Sequence, residues 1–153
     1  MDKTKQKIAF SFLIAIFLAA FEGVVVSTAA PVIVKSLHNF KMISWIFSIF
    51  LLTSAISTPI YGKLADLYGR KRIFMIGISI FLFGSLLAGL SQTMHQLIIF
   101  RGIQGIGAGA IFTIGFTMIG DIFTLEERSI IQGAISTIWG IAGLVGPLLG
   151  GFL

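Results

Sequence analysis

The chain has no cysteine. That excludes a disulfide, a thiolate nucleophile and a thiolate-held metal, and it leaves the redox compartment unmarked. Charge is scarce too. Asp, Glu, Lys and Arg make up 11% of the 153 residues, against about 25% in an ordinary soluble domain. A Ser-His-Asp order, a catalytic pair of carboxylates and a phosphate-binding loop are all missing, so the residues make no case for an enzyme. His38 and His95 lie far apart in sequence, which argues against a metal site. Proline is limited to 3 residues.

What is present is apolar. Hydrophobic residues reach 56%, with 18 Gly and 15 Phe, a mixture that suits helices packed in lipid. Five apolar runs stand out, at residues 8–34, 43–64, 73–90, 97–123 and 130–153. Each approaches or exceeds the roughly 18 residues that cross a bilayer core as a helix. They lack the period-two alternation of a membrane barrel. The connections between them are eight, eight, six and six residues, short enough to join antiparallel neighbours. The expectation is one all-α membrane domain, 1–153, with no linker. The first run follows Lys3, Lys5 and Lys7 and ends near Ala29-Ala30, the outline of a signal peptide. Its apolar part outruns the roughly 7–15 residues of such a region, however, and Glu22 interrupts it.

Lys and Arg counts set the orientation. One side holds Lys3, Lys5, Lys7, Lys63, Arg70, Lys71, Arg72 and Arg128; the other holds Lys35 and Lys41. The first side is expected to be cytoplasmic, with the N-terminus inside. These loops account for the net charge of +5, and no nucleic-acid partner is needed to explain it. Tyr61 and Tyr68 are expected to anchor the cytoplasmic end of the second span at the headgroups.

The most specific signal is GKLADLYGRKR, from Gly62 to Arg72. Gly62 is expected to let a helix end approach a neighbour, and Gly69 to take a positive φ and close a tight turn. Asp66 and Arg70 are four apart, near enough to pair. A plain positive-inside loop explains the cations but not the Gly and Asp at these spacings. The stretch resembles the signature G-x-L-A-D-x-x-G-R-K/R of the major facilitator superfamily, through Gly62, Leu64, Ala65, Asp66, Gly69, Arg70 and Lys71. That resemblance implies a conformational latch at this loop, with Asp121 on the same side as an acidic partner. It also implies a fold: five transmembrane helices of an incomplete N-terminal six-helix bundle.

Two further stretches narrow the resemblance. LIIFRGIQGIGAGAIF is similar to the drug–proton antiporter motif L-x-x-x-R-x-x-Q-G-x-G-A, through Leu97, Arg101, Gln104, Gly105, Gly107 and Ala108. AGLVGPLLGG is similar to the antiporter motif G-x-x-x-G-P-x-x-G-G, through Gly146, Pro147, Gly150 and Gly151, with Ala142 in place of the first Gly. Read physically, Gly105 and Gly109, and likewise Ala142, Gly146 and Gly150, are four apart and make flat faces for a neighbouring backbone. Pro147 lacks an N–H and opposes the carbonyl of Gly143, which marks a hinge; ordinary static packing is the alternative. The glycines of GIGAG do not make a nucleotide-binding loop, since they lie inside an apolar run of helix length rather than after a strand.

Glu22 lies inside the first run, where an ionisable side chain is costly and turns toward protein or water. It is 14 residues past Ile8, or about 21 Å along a helix. That leaves it roughly 9 Å from the outer face of a core of about 30 Å. Arg101 is four residues into a span that starts outside, about 6 Å deep. The resemblance makes their helices corresponding elements of inverted repeats that face a central cavity. The expectation is that Glu22 takes up and releases a coupling proton, with Arg101 nearby. A fixed Glu22–Arg101 pair is the structural alternative. The resembled family usually shows Asp-x-T-I-V-N-x-A-L-P in this helix; here Glu22, Val24 and Ser27 stand in the Asp, Thr and Asn positions.

The expected function is the N-terminal part of a proton-coupled exporter of small, lipophilic or cationic compounds, in a multi-pass cell membrane, expected bacterial and inner. Its partners are the small-molecule substrate, membrane lipid, and the remainder of the chain or a second copy. No cofactor beyond the coupling proton is implied. A non-transporting membrane scaffold or a truncated product is the alternative, but a scaffold does not need a buried Glu, a buried Arg and a latch together. A channel would call for a polar stripe that these runs lack. The orientation has a direct test. A reporter active only outside the membrane is expected to be active when fused after Lys41 and silent when fused after Lys71.

Overall fold

In hydrocarbon every backbone N–H and C=O must be satisfied within the protein, and a single crossing does this as a helix. The computed structural model, which describes residues 2–152, follows that rule. Helix α1 covers Lys3–Leu37, and a 3₁₀ turn at Phe40–Met42 leads into α2, Ile43–Tyr68. Then come α3, Arg70–Gly89, α4, Met94–Ile122, and α5, Leu125–Phe152. All five are long and apolar enough to cross a membrane; even the 20 residues of α3 reach about 30 Å. Among the described residues there is no strand.

The helices overrun the apolar runs, and the connections are shorter than expected. Gly69 alone separates α2 from α3, and Phe123 and Thr124 alone separate α4 from α5. Hydropathy marks what lies in hydrocarbon, whereas helical hydrogen bonding continues into the wetter interface, through Lys3, Lys5 and Lys7 at one end of α1. All three prolines, Pro31, Pro59 and Pro147, lie inside helices. Each withdraws a donor from the carbonyl four residues back. Tyr61 is buried while Tyr68 is exposed, so only Tyr68 is free to meet headgroups.

The chain divides into two compact units, Met1–Val32 with Phe116–Leu153, and Ile33–Gly115. Their boundaries fall inside α1 and α4, with no linker between them. In the second unit α4 is packed on two sides. Gly105 and Gly109 face α2: an added Cβ at Gly105 would run into Thr53 and the Phe50 carbonyl, and one at Gly109 would lie 2.8 Å from the Ser54 carbonyl oxygen. Gly107 faces α3, where the same atom would lie 2.6 Å from the Gly77 carbonyl oxygen. Residues two apart point about 200° away from each other around a helix. Glycine at both 105 and 107 therefore thins α4 on opposite sides. From α3, Gly84 returns the close approach against the backbone of Gln104, 2.7 Å from its nitrogen. The Ser57 hydroxyl adds a donor to the Ile106 carbonyl across the α2–α4 contact, at 3.4 Å.

In the first unit the buried stripe of α1 is Ala9, Phe12, Ala15, Ile16, Ala19 and Ala20. Phe12 meets Phe116 edge-on, with ring centres 5.4 Å apart. Farther along, Val24 of α1 packs on Gly146 of α5. The Thr28 hydroxyl lies 3.4 Å from the Gly146 carbonyl oxygen, beside Pro147.

Helix association in lipid depends on such contacts, because apolar burial alone drives little there. Gly84→Ala and Gly107→Ala are expected to cost about 1–3 kcal/mol by overpacking. Gly133→Ala, where an added Cβ meets nothing within 4 Å, is expected to be neutral or slightly stabilising. Thermal melting in detergent compares the three.

Candidate functional site

Arg101 stands in α4 seven residues after its first, about 10 Å along the axis, and is only 3% exposed. A guanidinium buried there depends on its surroundings to stand in for water. Its Nη1 donates to Gln104 Oε1 at 2.6 Å, a charge-assisted bond between neighbours on one helix face. The Phe50 ring of α2 lies with its centre 4.4 Å from the guanidinium carbon, within the range of a cation–π contact. Gln104 is fully buried at 0% exposure. With Oε1 accepting from the guanidinium, its Nε2 points elsewhere and finds no hydrogen-bond acceptor among the described residues. Sequence reasoning placed Gln104 with the packing residues; in the structure it is a polar partner of Arg101. The R-x-x-Q spacing carried that signal, whereas nothing in the sequence singled out Phe50 or Gly84.

Glu22 lies near the middle of α1 and is half-buried. Buried Ala15 and Ala19 precede it by seven and three residues, which puts it at the edge of the buried stripe. Glu22 belongs to one compact unit and Arg101 to the other.

The α2–α3 turn holds the latch residues. Gly69 has φ +92°, the left-handed region that side chains disfavour. It ends α2 through its N–H to the Ala65 carbonyl at 3.0 Å. The turn puts Asp66 and Arg70 on different helices, so their spacing is not that of one-turn neighbours. Asp66 and Lys71 are exposed and Arg70 is half-buried. An open groove beside them is lined by Tyr68, Gly69, Arg70, Lys71, Arg72 and Met75. Among the described residues an added Cβ at Gly62 would meet nothing within 4 Å, so the close approach expected there is not seen. Asp121 is exposed near the end of α4, in the other unit.

Sequence reasoning missed the α4–α5 turn. Thr124 and Glu127 form a reciprocal cap of α5: the Glu127 N–H donates to Thr124 Oγ1 at 3.3 Å and the Thr124 N–H donates to Glu127 Oε2 at 3.1 Å. The same carboxylate oxygen accepts from Lys5 Nζ of α1 at 3.2 Å, and that ammonium lies 5.7 Å from the centre of the Phe123 ring. Arg128 donates Nε to the Phe123 carbonyl at 2.9 Å, and Nη2 to the carbonyl of Gly120. The T-x-x-E pattern of a capping box was there to be read. Pro147 is exposed and α5 continues through it. Gly150 and Gly151 lie in the last turns of α5, and their surroundings are outside the described residues. Among the described residues no group of three His, Cys, Asp or Glu could hold a metal ion.

The family model of the Major Facilitator Superfamily matches residues 12–153. The chain is 42% identical over 159 residues to Multidrug resistance protein 3 of Bacillus subtilis (strain 168), with all of this chain and 31% of that protein covered. It is 43% identical over 141 residues to Multidrug transporter protein MdtP of the same organism, covering 92% of this chain and 26% of the relative. Efflux pump dotC of Dothistroma septosporum is 40% identical over 138 residues, with 90% and 24% covered. The chain thus spans 24–31% of the length of these relatives.

The clasp at the α4–α5 turn has a charge-reversal test. Lys5→Glu is expected to lower the melting temperature in low salt, and Lys5→Glu combined with Glu127→Lys to recover part of the loss. In a chain without native cysteine, Lys5→Cys with Glu127→Cys is expected to cross-link with a short bifunctional thiol reagent.

Proposed function

Since the chain belongs to the Major Facilitator Superfamily, we propose that it forms part of a proton-coupled secondary transporter that exports small lipophilic or cationic compounds. It does so by alternating access, from a cell membrane, with the N-terminus on the cytoplasmic side. The observation that carries this reading is the buried Arg101, held by Gln104 and Phe50. An ion kept inside a membrane span marks an ion or substrate path. The names of the relatives, multidrug resistance protein, multidrug transporter and efflux pump, support the substrate class.

In this reading Glu22 is the proton carrier. A carboxylate that alternates between a dry setting and one beside a cation takes up a proton in the first and releases it in the second. Arg101 supplies the cation as access changes. Proton uptake and release are then tied to opposite states of access, which couples proton movement to transport. Gly62, Asp66, Gly69, Arg70 and Lys71, with Asp121, form the latch that closes the cytoplasmic side in one state. Gly105, Gly109, Gly146 and Pro147, with Gly150 and Gly151, provide the close-packed faces along which helices slide. The other wall of the cavity comes from further chain or from a second copy.

The test uses the complete reading frame that encodes this chain, in inverted vesicles loaded by an imposed pH gradient. Glu22→Gln is expected to bring proton-driven drug transport to background while drug binding persists. Unchanged pH-coupled transport in that variant rules the role out.

A further inference from the structure

We propose that Phe50 and Gln104 are positioning residues that fix the direction of the Arg101 guanidinium, so that the strength of the cation–π contact from α2 tunes the pH at which the transporter exchanges protons. The inference rests on the reading that Arg101 acts on a coupling proton.

Groups on α4 and α2 hold the cation, and α3 backs one of them. Gln104, on α4 itself, takes one guanidinium N–H at 2.6 Å. Phe50, on α2, presents its ring face at 4.4 Å. Its backbone is brought in by Gly105, where an added Cβ would lie 3.0 Å from the Phe50 Cα. Behind Gln104 stands Gly84 of α3, close enough that an added Cβ would lie 2.8 Å from the Gln104 Cα. Glycine at 84 and 105 thus does more than pack helices: it seats the two groups that aim Arg101.

Neither an amide nor a benzene ring carries charge. Both can hold the guanidinium in place without neutralising it, whatever other partner the cation has. The helices packed here add no competing charge along their lengths. No Asp, Glu, Lys, Arg or His occurs in α2 from Ile43 to Gly62, in α3 from Ile73 to Gly89, or in α4 from Gly102 to Gly120. Tyr61 of α2 is the other titratable group on these stretches, and on α4 the nearest before Arg101 is the exposed His95. Gln104 also keeps one buried donor without an acceptor among the described residues. That is a cost which the amide's bond to the guanidinium has to offset.

The experiment measures the pH profile of drug–proton exchange by the complete reading frame in inverted vesicles, with drug KM and thermal melting recorded for each variant. Position 50 is filled with progressively fluorinated phenylalanines, which keep the ring's shape and drain its negative face. The midpoint of the pH profile is expected to move steadily with fluorination, by roughly half a unit or more at the end of the series, with melting unchanged. Phe50→Trp, whose ring offers the stronger face, is expected to move the midpoint in the direction opposite to fluorination, and Gln104→Leu to shift it. A profile that ignores fluorination while Arg101→Ala still shifts it overturns the positioning role and leaves the transport reading standing. A profile unmoved by Arg101→Ala overturns both.

Discussion

Helices in lipid gain little by covering one apolar surface with another, so what holds this chain together is how closely its backbones approach. That constraint falls mostly on α4, the most buried of the five helices. Its glycines at 105 and 107 face in opposite directions, one toward α2 and the other toward α3. A larger side chain at 105 would push α2 away and strain the Ser57-to-Ile106 hydrogen bond, and one at 107 would push α3 away. The interfaces are therefore dense and weakly polar, and their contacts are backbone as much as side chain.

The same closeness makes the buried charge possible. Arg101 loses its hydration on entering α4, and a cation without replacement for that water would not remain there. Replacement needs an acceptor and a polarisable face at contact distance. Gln104 provides the first from the same helix face, and Phe50 the second from the neighbouring helix. Phe50 gets near enough only because position 105 has no side chain. Packing and chemistry are thus one arrangement in this unit.

Much of this was legible in the sequence, because hydrocarbon imposes strong rules. The count and order of crossings followed from five apolar runs, and the family followed from the motif between Gly62 and Lys71. The glycine spacing of α4 announced close packing, though not that its two faces serve different helices. Helix ends were misjudged because hydropathy reports the solvent rather than the hydrogen bonds. The sequence marks Gly62 as part of a motif but does not say what it faces, and among the described residues nothing comes within 4 Å of an added Cβ there. Phe50 was invisible because fifteen phenylalanines offer no way to tell the one that faces a cation from those that face lipid. Gln104 was visible but was placed with the packing residues, since its partner three residues back was read against Glu22 instead.

The two turns at the ends of α2 and α4 argue for different mechanical roles. Between α2 and α3 the chain has one residue, Gly69, with its backbone in a region open mainly to glycine. The charged groups beside it, Asp66, Arg70 and Lys71, are exposed or half-exposed. Exposed charges can change partners at little cost, since water takes the place of a lost contact. Between α4 and α5 the reverse holds. Thr124 and Glu127 satisfy each other's backbone N–H groups, Arg128 takes two carbonyls at the end of α4, and Lys5 reaches Glu127 from the first turns of α1. Opening this turn would leave both helix ends without their partners at once. A rearrangement of the chain is therefore expected to keep the start of α1 and the α4–α5 turn together as one body. Relative motion then falls to the places held by fewer bonds, such as the Gly69 turn and the contact of Val24 and Thr28 with Gly146 beside Pro147.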